Sequence, residues 1–141
     1  MHRAESIMVA VLAKIANLTT TGTNVERSRV YPNNALPALT LEQGEDAVEL
    51  QSMAFVDRQL DVRVIAHVKK NTDFDTQLNQ IREEVYIALK ADYTQGLDFI
   101  LDTVAVGDGE PEFSGEADKV IGRQVMNFLI KYRHSLTNPG A

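Results

Sequence analysis

The chain has 141 residues, of which 44% are hydrophobic and 24% charged, and it carries a formal net charge of −6 and no cysteine. This length and apolar content predict one domain with its own core, whereas the lack of cysteine excludes disulfides, thiolate metal sites and cysteine nucleophiles. The negative charge argues against non-specific nucleic-acid binding as the main task, because that binding depends on Lys and Arg.

The sequence contains no apolar run of roughly 18 residues, the length that a membrane-spanning helix requires. The apolar segment at residues 7–18 is interrupted by Lys14 and Asn17, and no signal-peptide cleavage pattern follows it. We therefore expect a protein that is made and kept in the cytoplasm, without membrane contact.

The first part of the chain predicts one helix and two short strands. Apolar residues recur at steps of three and four over residues 5–18, which indicates an amphipathic helix. Alternation predicts strands at residues 25–31 and 36–41. Over residues 42–57 the alternation breaks down among acidic residues, and we expect an acidic loop or a loose hairpin there.

Residues 60–68 form the most regular strand pattern, and we expect the fold to be organised around it. Apolar residues occupy every second position and charged residues alternate with them, except that Ile65 lies on the charged side. His67 also lies on that side and is interpreted as an exposed residue. A helix follows, capped by Thr72, and its apolar stripe comprises Phe74, Leu78, Ile81, Val85 and Leu89.

Two further strands are predicted at residues 102–106 and 120–132. The second has apolar residues on both faces, which favours a central or subunit-covered strand. The tail at about residues 135–141 is expected to be flexible. Together these elements predict an α+β fold, in which a mixed, mainly antiparallel β-sheet carries two main helices on one face.

No residue pattern indicates catalysis or metal binding. The three histidines lack metal-ligand spacing, no serine lies in a nucleophile elbow, and Gly107-Asp-Gly-Glu-Pro111 fits a turn better than a phosphate-binding loop. We therefore expect a protein that is not an enzyme and that uses no cofactor and no metal.

Several apolar residues have no obvious place inside a single copy of the chain. A bulge or strand twist that turns each one inward is one explanation. Burial by further copies of the same chain is the other, and the residues taken together favour it. The interaction candidates are Glu42, Glu45, Asp46, Glu49, Met53, Phe55, Val56, Ile65, Val125 and Leu129.

In the order of its elements, the chain resembles the tail terminator proteins of long-tailed bacteriophages. The resemblance rests on the first helix, the acidic stretch, the long strand with its helix, and three sequence segments. These segments are Arg29-Val-Tyr-Pro32, Leu36-Pro-Ala-Leu-Thr-Leu41 and Phe128-Leu-Ile-Lys-Tyr132. As an order of elements it covers nearly the whole chain.

The resemblance implies a structural virion subunit without catalytic residues. Copies of it, in a hexameric homo-oligomer, would form a ring at the head-proximal end of the tail, cap the tail tube and stop its polymerisation. The implied partners are the tail tube protein and the head-tail connector or neck protein, with genome DNA passing through the lumen without specific binding. Assembly would take place in the host cytoplasm, and residues 42–57 are predicted to contact the tube or a neighbouring subunit.

Two other functions stay open at this point. A phage neck or head-completion protein would differ from a terminator only in the partner that it touches. A small nucleic-acid-binding α+β domain would present Arg63, His67, Lys69 and Lys70 on a sheet face, although that strand lacks aromatic residues for base stacking.

Overall fold

The structure is a computed structural model, and it describes residues 1–27, 36–69, 73–114 and 121–141. Within these residues the chain forms two helices and six strands. In chain order they are α1 (Arg3–Ile15), β1 (Val25–Arg27), β2 (Ala38–Gln51), β3 (Phe55–Lys69), α2 (Phe74–Lys90), β4 (Ile100–Asp108), β5 (Glu112–Ser114) and β6 (Ile121–Ser135).

All six strands belong to one sheet in the order β1-β2-β3-β6-β4, and β5 also pairs with β6. Only the β1–β2 pair is parallel among these strands. The long strands β3 and β6 pair without a register shift, from Phe55 opposite Ser135 to Lys69 opposite Ile121. The sheet is therefore mixed and mainly antiparallel, and the predicted α+β fold is confirmed.

The core lies between one face of the sheet and both helices. Every second residue of β3 from Leu60 to Val68 is buried there, together with the alternate residues of β6 from Met126 to Tyr132. Helix α1 contributes Ile7, Met8, Val11 and Ile15, and helix α2 contributes Leu78, Ile81, Val85 and Leu89. The α2 stripe predicted from the sequence is thus the one that packs on the sheet, although Phe74 is only partly buried.

The predicted acidic loop at residues 42–57 is wrong, whereas the hairpin alternative holds. Strand β2 continues to Gln51 and β3 begins at Phe55, so the segment is the end of an antiparallel hairpin. The Ser52 hydroxyl closes the turn by accepting hydrogen bonds from the Ala54 and Phe55 N–H groups. Two register shifts in β2 explain why the alternation breaks down in this part of the sequence.

The observed ends of the helices and strands differ from the predicted ends by a few residues. Helix α1 begins at Arg3 with His2 as its N-cap, and β6 extends to Ser135. After β6 the chain turns against α1, and the Arg3 N–H donates to the Pro139 carbonyl at 2.9 Å. Flexibility of the tail stays a prediction. Residues 28–31, Thr72 and Val120, which the sequence places in predicted elements, lie outside the described residues.

Two isoleucines of α2 provide a matched test of this layering. Ile81 is 0% exposed in the core, whereas Ile87 is 58% exposed on the same helix. We expect Ile81→Ala to lower the free energy of unfolding by about 2–5 kcal/mol, because it removes buried methylenes and leaves a cavity. Ile87→Ala should stay within about 0.5 kcal/mol of wild type. Urea unfolding measures both, and equal losses would contradict the layering.

Candidate functional site

The face of the sheet opposite the helices is the candidate functional surface, here called the open face. Because side chains alternate along a strand, residues between the core positions of β3 and β6 point to it. On β3 these include Gln59, Asp61 and Arg63, and on β6 they include Asn127, Leu129 and Lys131. Each of these six residues is partly exposed.

A groove of about 360 Å³ crosses the open face. Its position follows from the β2 register shift between Gln43 and Asp46. Gly44 lies in that shift, and a Cβ atom there would be only 2.5 Å from Asp61 Oδ2. The glycine therefore lets the Asp61 carboxylate lie close to the β2 backbone. The groove is lined by Glu45, Ala47, Gln59, Asp61, Val106, Asn127 and Leu129.

The groove combines apolar side chains with two carboxylates. Ala47, Val106 and Leu129 are its apolar part, and Val106 of β4 is largely exposed. No lysine or arginine in the described ranges forms an ion pair with Glu45 or Asp61. The groove is thus suited to a side chain that has an apolar stem and a positive end.

The other three acidic candidates have partners within the chain. Glu42 lies 3.8 Å from Arg63, and Glu49 lies 3.6 Å from Lys131. Asp46 points to the helix side, where its carboxylate accepts a 2.7 Å hydrogen bond from the Tyr132 hydroxyl. Burial, and then this bond, raise the pKa of Tyr132, so its hydroxyl keeps the proton that it donates. Of the four acidic candidates, only Glu45 is left free to meet a partner.

The apolar candidates divide into buried and exposed residues. Ile65 is 1% exposed and Val56 is also buried, so the expectation that they lie on an uncovered surface is wrong. Ile65 lies between its cross-strand neighbours Thr40 and Val125, and Val125 is half-buried. Leu129 is half-buried in the groove, and Met53 at the hairpin turn is 96% exposed.

The hairpin end carries exposed apolar side chains on both faces of the sheet, which the sequence pattern only partly indicates. Val48 and Leu50 at the end of β2 are more than half exposed, like Met53 beside them. Phe55 is half-buried because the Arg133 guanidinium lies over its ring at 3.7 Å. Arg133 is fixed there by two hydrogen bonds to the Asp57 carboxylate.

A second cleft, here called the edge cleft, lies where β4 begins. It has a volume of about 300 Å³ and is lined by Arg3, Asp98, Phe99, Leu101 and Arg133. The Arg3 guanidinium lies 4.4 Å from the centroid of the Phe99 ring and donates a 2.7 Å hydrogen bond to the Arg133 carbonyl. Across the ranges that the structure covers, Arg3 forms no ion pair. It is a positioned cation, and the Asp98 carboxylate in the same cleft does not form an ion pair with it.

The prediction that His67 is exposed is wrong. Its side chain lies on the open-face side of β3, but the residue is 1% exposed and Nε2 lies 3.0 Å from Thr40 Oγ1. Nδ1 has no hydrogen-bond partner in the described part of the chain. Burial, and then the positive charge of Arg123, lower the pKa of His67 to about 4. The imidazole is therefore neutral near neutral pH.

A polar cluster at the start of α1 was not foreseen from the sequence, because its members are far apart in the chain. Arg58 Nε donates a 2.8 Å hydrogen bond to Nε2 of the buried His134, whose Nδ1 lies 2.6 Å from the Ser135 carbonyl. The His2 ring lies 6.5 Å from that of His134, and its Nδ1 accepts from the Ala4 N–H. The contact between the two histidine rings places the start of α1 next to β6.

Two further properties of the described residues bear on function. They contain no group of three or more His, Asp or Glu side chains that could hold a metal ion. Neither α1 nor α2 has the length and apolarity needed to cross a membrane. The described residues instead provide three surface features on which a partner could bind: the groove, the hairpin end and the edge cleft.

Lowering the pH from about 7 to about 5 should cost about 2 kcal/mol of stability through His67, because its unfolded form has a pKa near 6.5 and binds a proton that the folded form excludes. This contribution is complete above that unfolded pKa and is lost as the pH falls towards the folded value. His67→Gln should flatten this part of the pH dependence. Urea unfolding at several pH values measures it, with His2→Asn as a control; an unchanged slope in His67→Gln would contradict the assignment.

Neither the chain's charge nor any single motif identifies a partner. No protein-family model matches the sequence, and the curated proteins include no match to it.

Proposed function

We propose that this chain is a structural subunit of a bacteriophage virion that acts as a tail terminator. In this function, copies of the chain form a ring, with six as the expected number, at the head-proximal end of the tail tube. The ring stops the tube from growing and provides the surface that the head-tail connector or neck protein binds. Genome DNA passes through its lumen without specific binding.

One observation carries the proposal: the two helices cover a single face of the sheet, and the opposite face keeps an open groove that is lined in part by Ala47, Val106 and Leu129. Covering these apolar side chains would stabilise the protein, since buried apolar area contributes about 25 cal/mol per Å². A groove of about 360 Å³ beside exposed Val106 is the kind of surface that a neighbouring subunit covers.

The hairpin end supports a second contact. Val48, Leu50 and Met53 are all exposed near the turn between β2 and β3, although Val48 and Leu50 lie opposite Arg58 and Asp57 and so point to opposite faces of the sheet. The groove adjoins this end along β2, since Ala47 lines it and Val48 follows, and we assign the groove to the neighbouring subunit and the hairpin end to the tail tube. A ring that caps a tube needs two such surfaces, because it binds copies of itself around the ring and a different protein along the axis.

The charge distribution agrees with a DNA-conducting ring rather than a DNA-binding domain. The chain has a formal net charge of −6, and a negative lumen lets DNA slide past without being held. Two of the four basic residues proposed for nucleic-acid binding are not free on the sheet, whereas Lys69 is exposed at the end of β3. Arg63 lies beside Glu42 and His67 is buried, while Lys70 lies outside the described residues.

A phage neck or head-completion protein is the alternative. It would use the same kind of ring contact but would bind the head connector without capping the tube. Native mass spectrometry and electron microscopy of the purified chain, alone and with tail tube protein, separate the two. We expect closed rings that bind tube ends and limit tube length. Rings that leave tube growth unchanged would favour the neck protein, and a chain that is monomeric under both conditions would overturn both functions.

The hairpin end gives a mutational test. Met53 is 96% exposed, so Met53→Ser should change the free energy of unfolding by less than about 0.5 kcal/mol. Capping of tail tubes should nevertheless weaken by roughly tenfold if the side chain is buried against the tube. Ile87→Ser, which removes an exposed apolar side chain from α2, is the control and should cap normally. Equal capping by the two variants would show that the hairpin end does not touch the tube.

A further inference from the structure

The groove and the edge cleft are chemically complementary, although both belong to the same chain. The groove has an apolar part and two carboxylates, Glu45 and Asp61, which lack ion-pair partners within the described ranges. The edge cleft presents Arg3, which also lacks one, next to Leu101, whose side chain is 43% exposed. Each surface has an apolar part. The groove adds two carboxylates, and the edge cleft adds the Arg3 guanidinium, which forms no ion pair with the Asp98 carboxylate of the same cleft.

Arg3 is held in place before any partner arrives. Its guanidinium lies against the Phe99 ring, and one of its N–H groups donates to the Arg133 carbonyl. An arginine that is already ordered loses little side-chain entropy when it meets a carboxylate. Its planar guanidinium still has other N–H groups with which to bind carboxylate oxygens.

The two surfaces cannot satisfy each other within one copy. The groove lies on the open face and is lined by the residues of β2, β3, β4 and β6 described above, whereas the edge cleft lies where β4 begins, beside the start of α1. From Leu101 to Val106 there are five residues along β4, which corresponds to roughly 16 Å in a strand. A second copy is required to bring Arg3 to Glu45.

We infer that Arg3 and Leu101 of one copy dock into the groove of the next copy. Arg3 meets Glu45 and Asp61 there, and Leu101 covers the apolar part of the groove. The inference rests on the proposed function, and it names the contact between neighbouring subunits of the ring. Identical copies carry −6 each and repel one another, and a contact that places opposite charges together offsets part of this repulsion.

The contact is heterologous, because two different surfaces of the chain meet. Heterologous contacts generate closed rings when the rotation between neighbours closes, whereas a contact between two like surfaces stops at a dimer. The edge cleft and the groove therefore supply a directional joint that repeats around the ring.

Charge reversal tests the pairing. Arg3→Glu and Glu45→Arg should each raise the protein concentration needed for half-assembly by at least about tenfold, because each places like charges across the joint. The double variant should return to within about threefold of wild type. Lys69→Glu and Glu83→Arg are matched controls, since both are exposed charged residues away from the joint. Circular dichroism and thermal melting verify that each variant is folded.

Disulfide trapping tests the geometry without relying on charge. The natural chain has no cysteine, so Ala47→Cys in the apolar part of the groove and Leu101→Cys in the edge cleft introduce the only thiols. Neither single variant should cross-link with itself, whereas a mixture of the two should give a dimer. A chain with both substitutions should give a ladder of bands whose largest member is the closed ring.

The outcomes separate this contact from the proposed function itself. Wild-type rings with rescue by the double charge variant and a cross-linked ladder support the contact. Wild-type rings that persist in both single reversal variants overturn it and leave the terminator function standing. Glu45→Arg rings that no longer bind tail tubes would assign the groove to the tube protein instead. A wild-type chain that forms only two-fold dimers, or stays monomeric with tail tubes present, overturns both.

Discussion

The pairing of β3 with β6 is the constraint on which the rest of the structure depends. The two strands run beside each other over fifteen residues each without a register shift. Because side chains alternate, this register places the apolar set of both strands under α1 and α2 and the charged set on the open face. A slip by one residue would exchange the two faces, so the core and the functional surface are fixed by one interaction.

Departures from this regular pairing create the features that carry the functional argument. The β2 shift at Gly44 brings the Asp61 carboxylate close to the backbone and opens the groove beside it. The shift in β4 between Ala105 and Gly107 leaves Val106 exposed over the same groove. The regular strands form most of the core, and the irregular strands next to them shape the groove that we propose as a binding surface.

The fold could be predicted from the sequence wherever apolar residues recur with the regular spacing of a strand or of a helix. Alternation identified the centre of β3 and most of β6, and the helical stripe identified the residues of α2 that pack on the sheet. Where β2 shifts its register, the same alternation fails, and a strand looked like a loop. His67 and Ile65 were misplaced for a related reason, since strand periodicity tells which face a residue is on but not how deeply that face is buried.

The contacts of the candidate site were mostly beyond sequence reasoning. Glu45 and Leu129 were identified as candidates, but their meeting with Asp61 and Val106 depends on four strands that are distant in the chain. The edge cleft joins Arg3 to residues near positions 99 and 133, and the His2–His134 cluster joins the two ends of the described fold. Such arrangements require the tertiary pairing to be known before the side chains can be related.

The two register shifts in β4 have a consequence for how large an assembly can grow. Strand β4 ends the hydrogen-bonded strand order, and shifts near Ile100 and Ala105 interrupt the regular spacing of its backbone groups. A broken edge is a poor template for adding strand after strand from other chains. Association through this side must then use side chains of defined shape, which favours particles of finite size over fibrils that lengthen without limit.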